Sequence, residues 1–189
     1  AYCARSGRLE GMPELPEVET IANGLRIGDE HTPSILGQQV SRVHLLWQRT
    51  LAEPSAEEFT ERAVGQFIQA ISRRGKFLLL QLTADTLIFH LRMSGDLRVE
   101  RVTESIAPHD RLILDFETGW RLAFNDTRKF GRAWLVSDAS QITNSLGPEP
   151  FDPALGPEDF HRQLQKHRRQ IKPLLLDQTF LAGLGLSLI

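Results

Sequence analysis

The chain has 189 residues, with 22 Lys+Arg against 24 Asp+Glu, and a formal net charge of -2 at pH 7. This length suits one domain, or one domain with part of a second, and the composition is that of an ordinary globular protein. The single cysteine, Cys3, excludes an internal disulfide and any zinc site built from cysteine pairs of this chain. Because the net charge is slightly negative, attraction to an anionic partner depends on local clusters of basic residues.

Residues 1–11 have neither the apolar stretch of a signal peptide nor the length of a transit peptide. We interpret them as an extension that precedes a start at Met12, and a genuine tail is the alternative. After Pro16 the apolar residues recur at helical spacing, which predicts an amphipathic helix. A proline in the first turn suits the start of that helix.

Between residues 38 and 137 the pattern changes to short runs of β-branched, aromatic and leucine residues. These runs lie at 40–46, 67–72, 76–82, 86–91, 96–100, 111–116, 121–125 and 132–136. Strands of this number, without intervening helices, predict an antiparallel β-sandwich or barrel. All apolar runs are strand-length, so no membrane span is expected.

Four prolines and two glycines fall within residues 146–157, LGPEPFDPALGP. Such a segment continues neither a strand nor a helix, so we place a domain boundary there. The expected division is a first domain over 12–146, a linker over 147–157 and a helical segment over 158–189. Helices are predicted over 157–167 and 171–181, and glycines follow the second.

The segment MPELPEVET at 12–20 resembles the amino-terminal signature of the Fpg family of bifunctional DNA glycosylases, in its formamidopyrimidine branch. Six further blocks follow in the family's order. They are RRGKFLLL at 73–80, FHLRMSGDL at 89–97, PHDRL at 108–112, NDTRKFGR at 125–132, LGPEP at 146–150 and IKPLLLDQTFLAGLG at 171–185. The resemblance implies an α+β fold: an N-terminal helix and an antiparallel β-sandwich, then the start of a helix–two-turn–helix domain.

The resemblance assigns the chemistry to the first residues after Met12. If Met12 is removed, Pro13 becomes a secondary amine with a pKa not far above neutrality, able to attack the sugar C1′. Glu14 is implied as the acid/base of base release, and Glu17 as a support for the amine. Taken alone, Pro13 is a common helix starter, and an acidic first turn complements the helix dipole.

Lys76 follows a basic pair and a glycine. The resemblance implies that it contacts DNA phosphate near the lesion and assists proton transfer during elimination. The alternative is a solvated lysine at a strand edge, where such residues discourage aggregation. We expect Arg73 and Arg74 to be general phosphate contacts or solvated charges.

A base leaves a duplex only after its nucleotide is extruded, and the hole must be held open. The resemblance gives this task to Met93, Arg128 and Phe130, since apolar side chains wedge into stacked bases and arginine pairs with the orphaned base. Ordinary core packing is the alternative for Met93 and Phe130. Lys129 departs from the arginine of many relatives but keeps the charge.

Further DNA contacts are implied at His109 and Arg128. The run 161–172, HRQLQKHRRQIK, carries five Lys/Arg and no acid, and forms the basic patch that the net charge conceals. Arg168 and Lys172 are our candidates within it.

The resemblance breaks after Gly185. Relatives continue GLGNIYADE and later add a zinc finger with four cysteines, whereas this chain has Leu186 at the asparagine position. We therefore expect a C-terminally truncated member with no cofactor and no metal in this chain. The expected partner is damaged double-stranded DNA, bound by a monomer in the bacterial cytoplasm at the nucleoid.

Two functions remain open. The first is a glycosylase/AP lyase that removes oxidised purines, 8-oxoguanine and formamidopyrimidines, from duplex DNA through a Schiff base with Pro13. Strand cleavage by β,δ-elimination would follow. The second is an inactive fragment or a non-catalytic β-sandwich that binds DNA. A free amine on Pro13 separates them.

Overall fold

The computed structural model describes residues 13–186, so the expectations for the extension, for Met12 and for Cys3 lie outside the described residues. Helices and strands follow in this order: α1 Leu15–Ile27, β1 Val40–Leu45, β2 Leu51–Glu53, α2 Ala56–Ala63, β3 Ile68–Arg74, β4 Phe77–Leu82, β5 Thr86–His90, β6 Gly95–Arg101, β7 Asp110–Phe116, β8 Trp120–Asp126, β9 Arg132–Val136, α3 Ser140–Thr143, α4 Pro157–Gln165 and α5 Ile171–Leu175.

Two sheets enclose the main core. The four-stranded sheet has the order β1-β7-β8-β6, and the five-stranded sheet has the order β2-β9-β5-β4-β3. Their inner faces meet through residues such as Phe89 and Phe124, whose ring centroids lie 5.2 Å apart. The predicted α+β fold with a β-sandwich is confirmed.

Helix α1 covers the five-stranded sheet and begins where the sequence predicted. It buries Leu15, Val18, Ala22 and Leu25, and it contacts β3 and β4. Proline lies in its first turn, and the carboxylate of Glu17 accepts a hydrogen bond of 3.1 Å from the backbone N–H of Glu14. This bond satisfies a donor that a helix start would otherwise leave open.

Three local expectations are wrong. Helix α2 interrupts the strands, although we expected no helix there; its sequence AEEFTERA is mostly charged and buries only Phe59 and Ala63. The neighbouring strand β2 pairs in parallel with β9, so the sandwich is not wholly antiparallel. Helix α5 ends at Leu175 rather than at 181 because Asp177 accepts hydrogen bonds from the backbone and hydroxyl of Thr179, which stabilises a turn.

The helical segment has a small core of its own. Leu174, Phe180 and Leu181 are buried there, while Ile171 remains exposed. The apolar residues of this segment are therefore partly buried and partly exposed. No helix within residues 13–186 is both long and apolar enough to cross a membrane.

Candidate active site

The start of α1 and the turn before β4 bring the proposed catalytic residues together. Pro13 and Glu14 are buried, and Lys76 is only 7% exposed. Lys76 follows Gly75, which has a φ of 56° that favours glycine in the turn between β3 and β4. The solvated strand-edge alternative for Lys76 is therefore wrong.

The ammonium of Lys76 interacts electrostatically with two carboxylates, that of Glu14 just before α1 and that of Glu17 in its first turn. Burial lowers the pKa of Lys76 because the charged form loses hydration. The negative charges of Glu14 and Glu17 act in the opposite direction and favour the charged form. Lys76 is thus a partly desolvated amine that faces the residues predicted to carry the chemistry.

Two glycines of the last family block pack directly on this site. A Cβ at Gly185 would lie 2.2 Å from the carboxyl carbon of Glu14, and a Cβ at Gly183 would lie 2.5 Å from Cδ1 of Leu15. Both distances are shorter than real carbon contacts allow. A side chain at either position would force Glu14 or Leu15 to move, so glycine allows the segment 183–185 to pack directly against these two residues.

Arg73 is largely buried and Arg74 is partly exposed, and both guanidinium groups are bound by protein acceptors, so neither is simply a solvated charge. Glu149 accepts hydrogen bonds from Arg73 at 3.0 and 2.9 Å and from the backbone N–H of Gly75 at 2.7 Å. Arg74 donates to the carbonyl of Gly147 at 2.7 Å. This network fastens the LGPEP segment to the turn that carries Lys76.

Two loops at the same end of the sandwich carry the predicted hole-filling residues. Met93, in the loop 91–94, is 40% exposed, and Phe130, in the loop 127–131, is 54% exposed. The guanidinium of Arg128 lies 3.7 Å from the sulfur of Met93. The core-packing alternative is wrong for Met93 and Phe130, and their role in DNA stays a prediction.

Strand register explains why both groups of residues share one end of the five-stranded sheet. Phe77, which follows Lys76, pairs with His90 at the end of β5, and His90 pairs with Arg132 at the start of β9. The loop 91–94 leaves β5 and the loop 127–131 enters β9 at this edge. The turn that carries Lys76 and the two exposed loops therefore lie at the same end of the five-stranded sheet.

His90 is a site residue that the sequence analysis missed. It is buried, its ring lies edge-on to Phe77 at 4.6 Å, and its Nδ1 accepts a hydrogen bond of 3.1 Å from the backbone N–H of Arg92. Burial, with the charges of Arg92 and Lys76, lowers the pKa of His90 to about 3. A histidine inside a strand gave no signal by itself, although its place in the FHLRMSG block could have drawn attention to it.

The neutral state of His90 predicts a pH-dependent stability. Its pKa is about 6.5 in the unfolded chain and lower in the folded one, so the unfolded state binds the extra proton as pH falls below 6.5. Between pH 7 and pH 5 we expect His90 to cost about 2 kcal/mol of unfolding free energy.

Denaturant unfolding at the two pH values measures this cost. His90→Asn, whose carbonyl can accept from Arg92, should make the loss smaller by about 2 kcal/mol. His31→Asn, at an exposed position, should keep the full loss. An equal acid sensitivity of the His90 variant and the unsubstituted chain would contradict the assignment.

The remaining predicted DNA contacts are exposed. His109 lies in the loop before β7, and its backbone carbonyl accepts a bond of 2.9 Å from Asp126, close to Arg128. Arg168 lies between α4 and α5, and Lys172 lies on α5. The structure thus groups His109 with the two exposed loops and leaves Arg168 and Lys172 on the helical segment.

Zinc, which the family resemblance implies in a distant finger, does not fit the described residues. Within 13–186 no group of three or more His, Cys, Asp or Glu side chains could hold a metal ion.

A family model matches residues 12–133 and is described as the formamidopyrimidine-DNA glycosylase N-terminal domain. The chain belongs to this family. Among curated formamidopyrimidine-DNA glycosylases, that of Protochlamydia amoebophila is 41% identical over 175 residues, and that of Chloroflexus aurantiacus is 43% identical over 178 residues. Each alignment covers 92% of this chain and 62% of the relative, so the chain spans less than two thirds of their length.

Solved structures of the family share the fold. The Lactococcus lactis Fpg in complex with DNA that contains an abasic site superposes with a TM-score of 0.82 at 34% identity. The same protein bound to DNA with an N7-benzyl-Fapy-dG gives a TM-score of 0.82 at 35% identity. The matches cover 92% of this chain and 64% or 63% of those chains.

Proposed function

We propose that this chain carries the catalytic half of a DNA glycosylase/AP lyase that removes oxidised purines from duplex DNA. One observation supports this above the rest. The buried Pro13–Glu14 pair and Lys76 lie at the same end of the sheet as the exposed Met93, Arg128 and Phe130. The residue proposed to attack the sugar therefore lies near the side chains proposed to fill the space that an extruded nucleotide leaves in the duplex. Excision of a base from duplex DNA requires both.

Base excision begins with the secondary amine of Pro13. Its nitrogen lone pair forms a bond to C1′ of the damaged nucleotide, and the bond from C1′ to the base nitrogen breaks. The base leaves with its electron pair and takes up the proton that the Pro13 nitrogen releases. Glu14 donates a proton to the sugar ring oxygen as the bond from C1′ to that oxygen breaks, and the nitrogen lone pair of Pro13 forms the C=N bond. The sugar remains attached to Pro13 as an iminium ion.

Strand cleavage follows from the same intermediate. The iminium acidifies the C2′ proton; its removal expels the 3′-phosphate, and a second elimination expels the 5′-phosphate. Water then releases the sugar remnant from Pro13. Lys76, whose pKa burial lowers, provides a nearby amine to carry protons and to contact a phosphate.

A non-catalytic DNA-binding module is the second candidate, and one observation favours it. In the sequence Pro13 follows Met12, so its nitrogen is an amide unless residues 1–12 are removed. An amide nitrogen has no basic lone pair. The same fold could then bind damaged DNA without excising the base.

A strand-scission assay tests the proposed function. The chain that starts at Pro13 is incubated with a duplex that carries 8-oxoguanine opposite cytosine, and with the same duplex carrying guanine. We expect cleavage at the lesion only, with phosphate on both new ends, as β,δ-elimination produces. Binding of the lesion duplex without any cleavage would support the non-catalytic module instead.

A further inference from the structure

We propose that Asp126 is a positioning residue that locks the loops 91–94 and 127–131 together, so that their three exposed side chains enter a duplex as one rigid unit. The inference rests on the proposed function, because it concerns the DNA-filling step. It assigns a role to a residue that itself cannot touch DNA, since Asp126 is 0% exposed.

One carboxylate holds both loops. Oδ1 of Asp126 accepts hydrogen bonds from the hydroxyl of Ser94, in the first loop, and from the backbone N–H of Arg128, at 3.2 Å, in the second. Oδ2 accepts a bond of 2.7 Å from the backbone N–H of Gly131, where the second loop joins β9. The hydroxyl of Ser94 also accepts from the N–H of Arg128, which closes a small ring of bonds.

The backbone of Asp126 forms hydrogen bonds that connect a third loop, the one before β7, to the same residue. Its N–H donates a bond of 2.9 Å to the carbonyl of His109, and its carbonyl accepts a bond of 2.7 Å from the buried guanidinium of Arg111. The loop before β7 is thereby tied to the same residue. Asp126 thus joins three loops that carry predicted DNA contacts.

The two exposed loops need these hydrogen bonds because each contains a residue with a strained backbone conformation. Arg92 and Lys129 have φ values of 57° and 62°, in the left-handed region that costs non-glycine residues roughly 1 kcal/mol or more each. A cation–π contact of Lys129 with the Trp47 ring, at 4.1 Å, supports the second loop from outside. These conformations persist because the surrounding bonds determine them.

Rigidity of the two loops would favour the insertion of their side chains into duplex DNA. Filling an emptied stack needs Met93, Arg128 and Phe130 in one arrangement, and ordering mobile loops during binding would reduce the affinity. A preformed arrangement avoids that loss. Single-stranded DNA has no stack to fill, so it gains nothing from the arrangement.

The geometry explains why a carboxylate is needed. Three donors point at the side chain of Asp126, two of them backbone N–H groups on opposite oxygens. Asn has one acceptor oxygen, so its amide group would face one of those N–H groups donor to donor. Asp126→Asn therefore keeps the shape of the side chain but removes one of the hydrogen bonds that connect the loops.

The test measures binding by the chain that starts at Pro13 to a tetrahydrofuran abasic analogue, in duplex and in single-stranded DNA. We expect Asp126→Asn to reduce the preference for duplex about tenfold, while single-strand affinity changes little. Ser94→Ala, which removes the two hydrogen bonds of the Ser94 hydroxyl with little risk to folding, should act in the same direction by a few-fold.

Asp85→Asn is the matched control. Asp85 is also a buried carboxylate with several donors, from Arg62 and Gln66, but it lies at the opposite end of β5 from the loop 91–94. We expect this variant to lose stability and to keep the full duplex preference. A similar loss in the Asp85 variant would show that general destabilisation, rather than positioning, explains the effect.

The inference and the proposed function fail in different ways. If Asp126→Asn folds and keeps the duplex preference, or if it does not fold and Ser94→Ala keeps the preference, the positioning role is wrong. A chain that starts at Pro13, binds lesion duplex and never cleaves it contradicts the proposed function alone, because the binding ratio does not depend on the amine.

Discussion

A chain with a free amine on Pro13 should be trapped on DNA with an abasic site by borohydride, and a chain that begins at Ala1 should not. Borohydride delivers hydride to the iminium carbon and converts the reversible linkage into a stable amine. In the Ala1 chain the Pro13 nitrogen belongs to a peptide bond, so the iminium cannot form. The expected difference is all or none on a denaturing gel.

An acetylated form of the chain that starts at Pro13 is the matched control, because it keeps every residue and removes only the basic lone pair. It should behave like the Ala1 chain. Covalent trapping by the Ala1 chain, with its extension shown intact by mass measurement, would contradict the role of the Pro13 amine.

Glu14→Gln should separate the two halves of the reaction. Excision of an intact damaged base requires proton donation to the sugar, which Gln cannot provide, so we expect a loss on the order of 10²–10⁴-fold. A preformed abasic site has no base to release, and trapping on it should change only a few-fold. Single-turnover excision and borohydride trapping measure the two steps.

The shape of Gln matters in this comparison because Gly185 packs against the Glu14 carboxyl. An isosteric amide keeps that packing, so a loss cannot be attributed to movement of the segment that covers the site. Glu19→Gln removes a carboxylate elsewhere on α1 and should leave both assays nearly unchanged. An equal loss in excision and trapping by Glu14→Gln would refute the acid/base role.

Much of the framework was predictable from the sequence. The helical spacing after Pro16 predicted α1, and the succession of short runs of β-branched, aromatic and leucine residues predicted the sandwich. Helix α2 was missed because it is short and mostly charged, and its two buried residues, Phe59 and Ala63, are too few to establish a helical pattern by themselves. Helix α5 was predicted too long because the turn at Asp177 depends on side-chain bonds that spacing alone does not reveal.

The candidate site was also predictable only in part. Residues on the family's motifs could be named from the sequence, but their partners could not. Arg73 pairs with Glu149, 76 residues away along the chain, so an arginine expected on the surface is largely buried. His90 and Asp126 acquire their importance only from the loops that the sheet brings to one end.

The central claim is that Pro13, rather than the neighbouring buried amine of Lys76, forms the covalent link. The most direct test is to trap the chain that starts at Pro13 on abasic DNA with borohydride, digest the complex and locate the modified residue by mass spectrometry. The account predicts the sugar remnant on the nitrogen of Pro13 and unmodified Lys76. A remnant on Lys76, with Pro13 unmodified, would contradict it.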